Sequence, residues 1–172
     1  MQDSSLVKHF HTEGINLPTL TTKLAGLEPA LFDKEVKPLR ELIESHETSE
    51  EATDLLLNDN VTHHHAEDMY ARELLLPKGT VVLSRVHLQD GINIISKGHV
   101  VIVDTHGRIE RQAPCTFVSK AGTQRLVYCV EETVWTLVHA THTQDPTELF
   151  DELTVETYED YINQAHQLTH KE

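Results

Sequence analysis

At 172 residues, with 38% hydrophobic positions, the chain can fill one ordinary core and still carry extensions at its ends. A formal net charge of -14 sets its field against nucleic-acid phosphates and anionic lipid, so neither nucleic acid nor membrane is expected as a partner of this acidic protein. No apolar run approaches the roughly 18 residues of a membrane span. Met1 to Glu13 is polar rather than basic and then apolar, so no secretory signal peptide is expected. Cys115 and Cys129 have neither metal-knuckle nor disulfide-framework spacing and read as buried thiols. Thirteen histidines make the net charge strongly pH-dependent.

Residues 1 to 19 are polar and lack periodicity, which suggests an arm. From Leu31 the spacing turns helical through Val36, Leu39 and Ile43, and again at Leu55 and Leu56, with Thr48 and Glu51 forming a capping-box signature. Helices are expected over 34–46 and 49–57, ended by the turn residues Asn58-Asp59-Asn60. The triplet His63-His64-His65 reads as a solvated loop, because adjacent side chains do not converge on one ion. Short strands then recur: Ala71 to Leu76, Thr80 to His87, Gly91 to Ile95, Val100 to Asp104, Arg108 to Gln112, Cys115 to Val118, Arg125 to Val130 and Thr133 to His139. Thr105-His106-Gly107 and Glu131-Glu132 are expected to close hairpins between neighbouring strands. That rhythm predicts a mainly β jelly roll or closed barrel. Asp145-Pro146-Thr147-Glu148 starts a helix with Leu149, Phe150 and Leu153 as its apolar stripe, and Tyr158, Tyr161, Ile162 and Ala165 resume one after β-branched residues. The predicted organisation is an N-terminal arm with short helices over 1–60, a barrel over 61–142 and a helical extension over 143–172.

Gly79, Arg85, His87, Gly91 and Gly98, followed by Gly122-Thr123-Gln124-Arg125, are spaced as in the two motifs of the cupin superfamily. The resemblance implies a cupin-type jelly-roll β-barrel flanked by short N-terminal and C-terminal helices. It also implies a barrel-centred site, whose family pattern is three His and one carboxylate. Here Arg85 stands at the first His position, Gly91 near the carboxylate position and Arg125 at the last His position, leaving His87 alone. A narrower resemblance, carried by Tyr70-Ala71-Arg72-Glu73, Pro77-Lys78-Gly79-Thr80, Asn93 to Gly98, Ala113 to Ser119 and Thr133-Val134-Trp135, is to small cupin-like proteins encoded by tailed bacteriophages. It implies the cytoplasm of a bacterial host or the phage particle as location.

Alternation along strands, anchored on the motif, turns Val81, Leu83, Arg85 and His87 inward, with Arg125, Val127 and Cys129 from the next-to-last strand and Trp135, Leu137 and His139 from the last. Val82, Val86, Tyr128, Val130, Val134 and Val138 would face outward and need covering by terminal helices or a second copy, which predicts a homodimer or higher homo-oligomer. Arg85, His87, Arg125 and His139 then form the expected ligand-binding cluster. Its arginines need protein carboxylates such as Asp90, or a bound anion. A metal held by His87, His139 and Asp90 is the third reading, although two fixed cations would repel a divalent ion.

The functional expectation is a non-catalytic structural or assembly protein of a phage, acting with itself and with other phage structural proteins. The alternatives are a barrel that binds a small anion and a metal-dependent cupin enzyme with an atypical ligand set. No cofactor is expected beyond that divalent metal.

Overall fold

The computed structural model describes residues 16–47 and 60–169. The helix expected over 49–57 lies outside the described residues, as do the Thr48–Glu51 capping box and most of the N-terminal arm.

The chain opens with α1 (Leu17–Leu24) and α2 (Pro29–Glu47). Helix α1 falls partly in the expected arm; Asn16 caps it by accepting from the Thr19 amide, and Pro18 sits in its first turn. Ten strands follow: β1 (Val61–Ala66), β2 (Met69–Leu76), β3 (Val81–Leu83), β4 (Val86–His87), β5 (Gly91–Lys97), β6 (His99–Asp104), β7 (Gly107–Gln112), β8 (Cys115–Ser119), β9 (Leu126–Cys129) and β10 (Thr133–Ala140). The C-terminal segment is α3 (Pro146–Leu153), β11 (Thr154–Val155) and α4 (Tyr158–Thr169).

All pairings are antiparallel. One sheet runs β1-β2-β10-β5-β8, a second runs β3-β9-β6-β7, and β11 pairs β4 in a third ribbon. The fold is a mainly β jelly roll whose two large sheets enclose Ile95, Val100, Ile102, Val127, Cys129 and Trp135. A second core lies outside the four-stranded sheet, where Leu24, Phe32, Val36 and Leu39 of the helices pack on Val81, Val101, Val103 and Leu126. Strand β6 therefore has both faces covered, which accounts for its unbroken apolar run Val100-Val101-Ile102-Val103. Among the described residues no helix is long and apolar enough to cross a membrane.

Several expectations are corrected. The histidine triplet is part of β1, an edge strand paired with β2, and not a loop. Val81 and Leu83 face the helices, and Val82 faces the interior, the reverse of the expected parity. The single strand expected over Thr80 to His87 is broken. The Ser84 hydroxyl accepts from the Arg125 amide at 2.9 Å, the β3–β9 ladder stops there, and Val86 and His87 pair with β11 instead. Glu131-Glu132 does not close a hairpin, because β9 and β10 belong to opposite sheets. The turn at Thr105-His106 does join β6 to β7, with the Asp104 carboxylate accepting from the His106 amide.

The β5–β6 corner needs Gly98. Its φ is +94°, and a Cβ there would lie 2.4 Å from the Glu132 carbonyl oxygen, so two chain crossings between the sheets are stacked in direct backbone contact.

Candidate functional site in the barrel interior

Strand register assigns the inward side chains. Trp135, Leu137 and His139 of β10 oppose Leu74, Arg72 and Tyr70 of β2, and oppositely paired residues share a face. On the other side of β10, Ile95 and Asn93 of β5 oppose Trp135 and Leu137, and they in turn oppose Cys115 and Phe117 of β8. Apolar residues fill one end of the barrel, and polar and cationic residues collect towards the other.

His87 and His139 are both buried, with rings stacked 5.8 Å apart at 19°. Gly91 makes the room: a Cβ at that position would come within 2.6 Å of the His139 ring. The Nδ1 atoms of both rings are buried without a hydrogen-bond partner. Burial pushes the His87 pKa down to about 3, helped by His139, Arg125 and Arg72 in that order. Burial and Arg72 also lower His139, while a hydrogen bond to the Asp90 backbone pulls the other way. Both rings are therefore neutral at pH 7.

Arg125 is buried and its charge is answered. Its guanidinium donates to the Asp104 carboxylate at 3.5 Å and to the Ser119 hydroxyl, which also accepts from Asn93; the Asn93 carbonyl oxygen accepts from the Trp135 indole at 3.1 Å. Phe117 meets two guanidinium groups, those of Arg111 and Arg125, each 5.5 Å from the ring centroid. Arg111 keeps a buried Nε without a partner.

Arg72 differs. It shares the inward face of β2 with Tyr70, which opposes His139, and is near enough to repel a proton from both imidazoles. Burial disfavours its charge, and the one group favouring it is the Tyr70 phenol, which is itself uncharged because burial raises its pKa. Among the described residues no carboxylate pairs with Arg72.

Of the expected cluster, the structure brings together His87, Arg125 and His139. Arg85 is elsewhere: it keeps the outward parity of Val81 and Leu83, stacks 4.4 Å over the Phe150 ring of α3 and lies 3.6 Å from the Asp151 carboxylate. Asp90 is exposed and accepts from Lys120 at 2.6 Å and from the Ala121 amide at 3.0 Å, so its carboxylate serves neither arginine nor a metal beside the histidines. Among the described residues no three His, Cys, Asp or Glu side chains converge as a metal-ligand set. With Arg72 and Arg125 adjacent, the interior does not fit a resident divalent cation. Sequence reasoning missed Arg72, Tyr70, Asn93, Ser119 and Arg111. For Arg72 the signal was present in the alternation Tyr70, Arg72, Leu74, Leu76 along β2.

The C-terminal segment closes this end. Thr154 pairs with His87, the Leu88 amide donates to the Leu153 carbonyl at 2.9 Å, and the Tyr161 ring sits against Gly122, where a Cβ would come within 3.0 Å.

No protein-family model matches the chain. No curated protein is similar to it. Similar solved structures include a cupin superfamily protein from Desulfitobacterium hafniense, with 12% identity over 48% of this chain and 78% of that one and a TM-score of 0.41. Another is an acetylacetone dioxygenase from Acinetobacter johnsonii, with 15% identity, 46% and 58% coverage and a TM-score of 0.42. A third is a cupin-2 domain containing protein from Shewanella frigidimarina, with 15% identity, 56% and 98% coverage and a TM-score of 0.41. At such identities and scores these likenesses carry no chemistry over to this chain, and the fold described above rests on its own strand pairing.

Proposed function

We propose that this chain is a non-catalytic binding module that holds a small anion in the polar end of its barrel. The observation that carries the reading is Arg72, a cation without a carboxylate partner among the described residues, set beside two buried imidazole Nδ1 atoms that also lack partners. Arg72 is half-buried, a guanidinium drawn partly out of water without an anion is costly, and a bound carboxylate or phosphate oxygen would answer the charge. The test is thermal unfolding of the full chain with acetate, sulfate and phosphate, against chloride at equal ionic strength. A ligand at a hundred times its Kd stabilises by roughly 2.7 kcal/mol. Stabilisation by at least one of these anions that Arg72→Met abolishes supports the module; no shift with any of them removes it.

A second reading has its own observation. The outer face of the five-stranded sheet leaves Ile92 at 46% and Val118 at 56% exposure, beside Ile94, Leu75 and Met69. Apolar residues grouped this way on one sheet favour a partner over water. With a net charge of -14 on each copy, self-association would have to rest on such apolar contact and not on charge. We infer a homodimer through this face, the form in which a structural or assembly role in a phage particle would be carried out. Light scattering at several concentrations tests it: the wild type should be dimeric or larger, and Val118→Asp should be monomeric with an unchanged circular dichroism spectrum. A monomeric wild type refutes it.

A further inference from the structure

We propose that the cleft between α3, α4 and the link from β4 to β5 is a binding site for a primary ammonium group on an aliphatic chain, held by the Glu152 carboxylate. It shares no residue with the cluster of Arg72, His87 and His139, and it stands or falls separately from the anion reading above.

The cleft has a volume of about 470 Å³, within the range of small-molecule sites, and is lined by Leu88, Gln89, Glu152, Tyr161, Gln164 and Ala165. Its walls are fixed by the fold. Gln164 and Ala165 follow Tyr161 by three and four residues, so the three share one face of α4. Thr157 and Asp160 fix the start of that helix by reciprocal capping bonds, the Thr157 amide donating to the Asp160 carboxylate and the Asp160 amide to the Thr157 hydroxyl. Opposite, the Leu88 amide donates to the Leu153 carbonyl at 2.9 Å and holds the β4–β5 link against the end of α3. A site whose walls are already in place loses little free energy to ordering when a ligand enters.

The lining sets the charge of the ligand. Glu152 is the one charged residue of the six, and the chain as a whole carries a net charge of -14. One carboxylate oxygen accepts from the Thr141 hydroxyl at 2.8 Å and the other from the Thr143 hydroxyl at 2.5 Å, which orients the group and leaves a lone pair on each oxygen. Those bonds also hold the carboxyl below its ordinary range, so it is ionised at neutral pH. Among the described residues no Lys, Arg or His forms an ion pair with it, and His142, the basic group that acts on it, is bonded to Asp68 at 2.6 Å. Gln89 donates its side-chain nitrogen to the Ala140 carbonyl at 3.4 Å, which leaves its side-chain oxygen to accept, and Gln164 adds a second amide. Three such oxygens suit the three donors of an ammonium. The threonines take one lone pair from each Glu152 oxygen, which favours the single contact of an ammonium over the two-pronged fork of a guanidinium. A hard divalent cation calls for six or more oxygens and gains nothing from Leu88, Ala165 and the Tyr161 ring, whereas an aliphatic chain packs on them.

The experiment is calorimetric titration of the full chain at pH 7 and one ionic strength with butylammonium, butanol and butyrate. Butylammonium should bind; the other two keep the aliphatic chain but lose or reverse the charge, and should not. Glu152→Gln keeps the shape of the side chain and should weaken butylammonium about tenfold or more, the worth of a hydrogen bond to a charged group. Ala165→Trp, at an exposed position of α4, fills the cleft without touching the threonine bonds and should abolish binding, so it gives the answer even if Glu152→Gln does not fold. Nα-acetyl-lysine amide carries the same ammonium on a blocked backbone: its binding beside butylammonium would assign the group to a lysine side chain of a partner, and its exclusion would assign it to a free amine. No binding of butylammonium, equal binding of butanol, or binding that survives both substitutions would overturn the site.

Discussion

Acid should unfold this protein through His87 before its carboxylates are involved. In the folded chain the ring has a pKa of about 3; in the unfolded chain it returns to about 6.5. A group whose folded pKa is depressed contributes stability that is fully present above the unfolded value and is lost as pH falls towards the folded one. Each unit of pH in that window costs about 1.4 kcal/mol, so going from pH 7 to 4.5 removes about 2 to 3 kcal/mol through this group, from a total that is usually about 5 to 15. His139 is shifted in the same direction and adds to the loss. Asp90, Glu110 and Glu152 are also lowered, but from starting values near 4, so their losses fall mainly below the window. The assay is urea unfolding at pH 7.0 and 4.5 at one fixed protein concentration, for wild type and His87→Gln. The wild type should lose stability across the interval and the variant should lose markedly less. Equal losses in the two proteins, or no loss in the wild type, would refute the reasoning.

Further expectations concern packing. Gly91→Ala should displace the His139 ring and cost about 1 to 3 kcal/mol by urea unfolding, with part of that recovered in Gly91→Ala/His139→Ala. Gly98→Ala meets backbone on a positive-φ residue and should cost about 3 kcal/mol or more by the same measurement. The Cys129 thiol, pushed up to about 11 by burial, should resist iodoacetamide at pH 8 in the folded protein and react once it is unfolded, as read by peptide mass spectrometry. Arg85→Ala and Phe150→Ala should show a coupling of about 0.5 to 1 kcal/mol in a double-mutant cycle.

The barrel was legible in the sequence because each strand announces itself locally, through alternation and turn residues. Arg125, Val127 and Cys129, and Trp135, Leu137 and His139, face inward as alternation requires. What alternation cannot supply is the effect of a side chain on the ladder. Ser84 replaces a backbone partner of Arg125, the strand stops, and parity counted back from His87 puts Val81, Leu83 and Arg85 on the wrong side. Nor can local pattern say which sheet a strand joins: β9 and β10 are separated by a short turn and yet never pair. Strand β1 was hidden because Val61 to Ala66 has almost no apolar content, as an exposed edge strand can afford. Arg72 was overlooked because the strand that carries it lies outside the recognised motif spacing, although its neighbours mark the face it shares.

The pairing of Thr154 with His87 has a bearing on how the protein would communicate. The buried His87 and β11 hold each other by backbone pairing, so release of α3, β11 and α4 would remove the partner strand of His87. By linkage, a change that stabilises β4 in place favours the docked β11, and a change that stabilises docked β11 favours β4 in place. The segment after Ala140 is thus tied by backbone pairing to the strand that carries a barrel histidine.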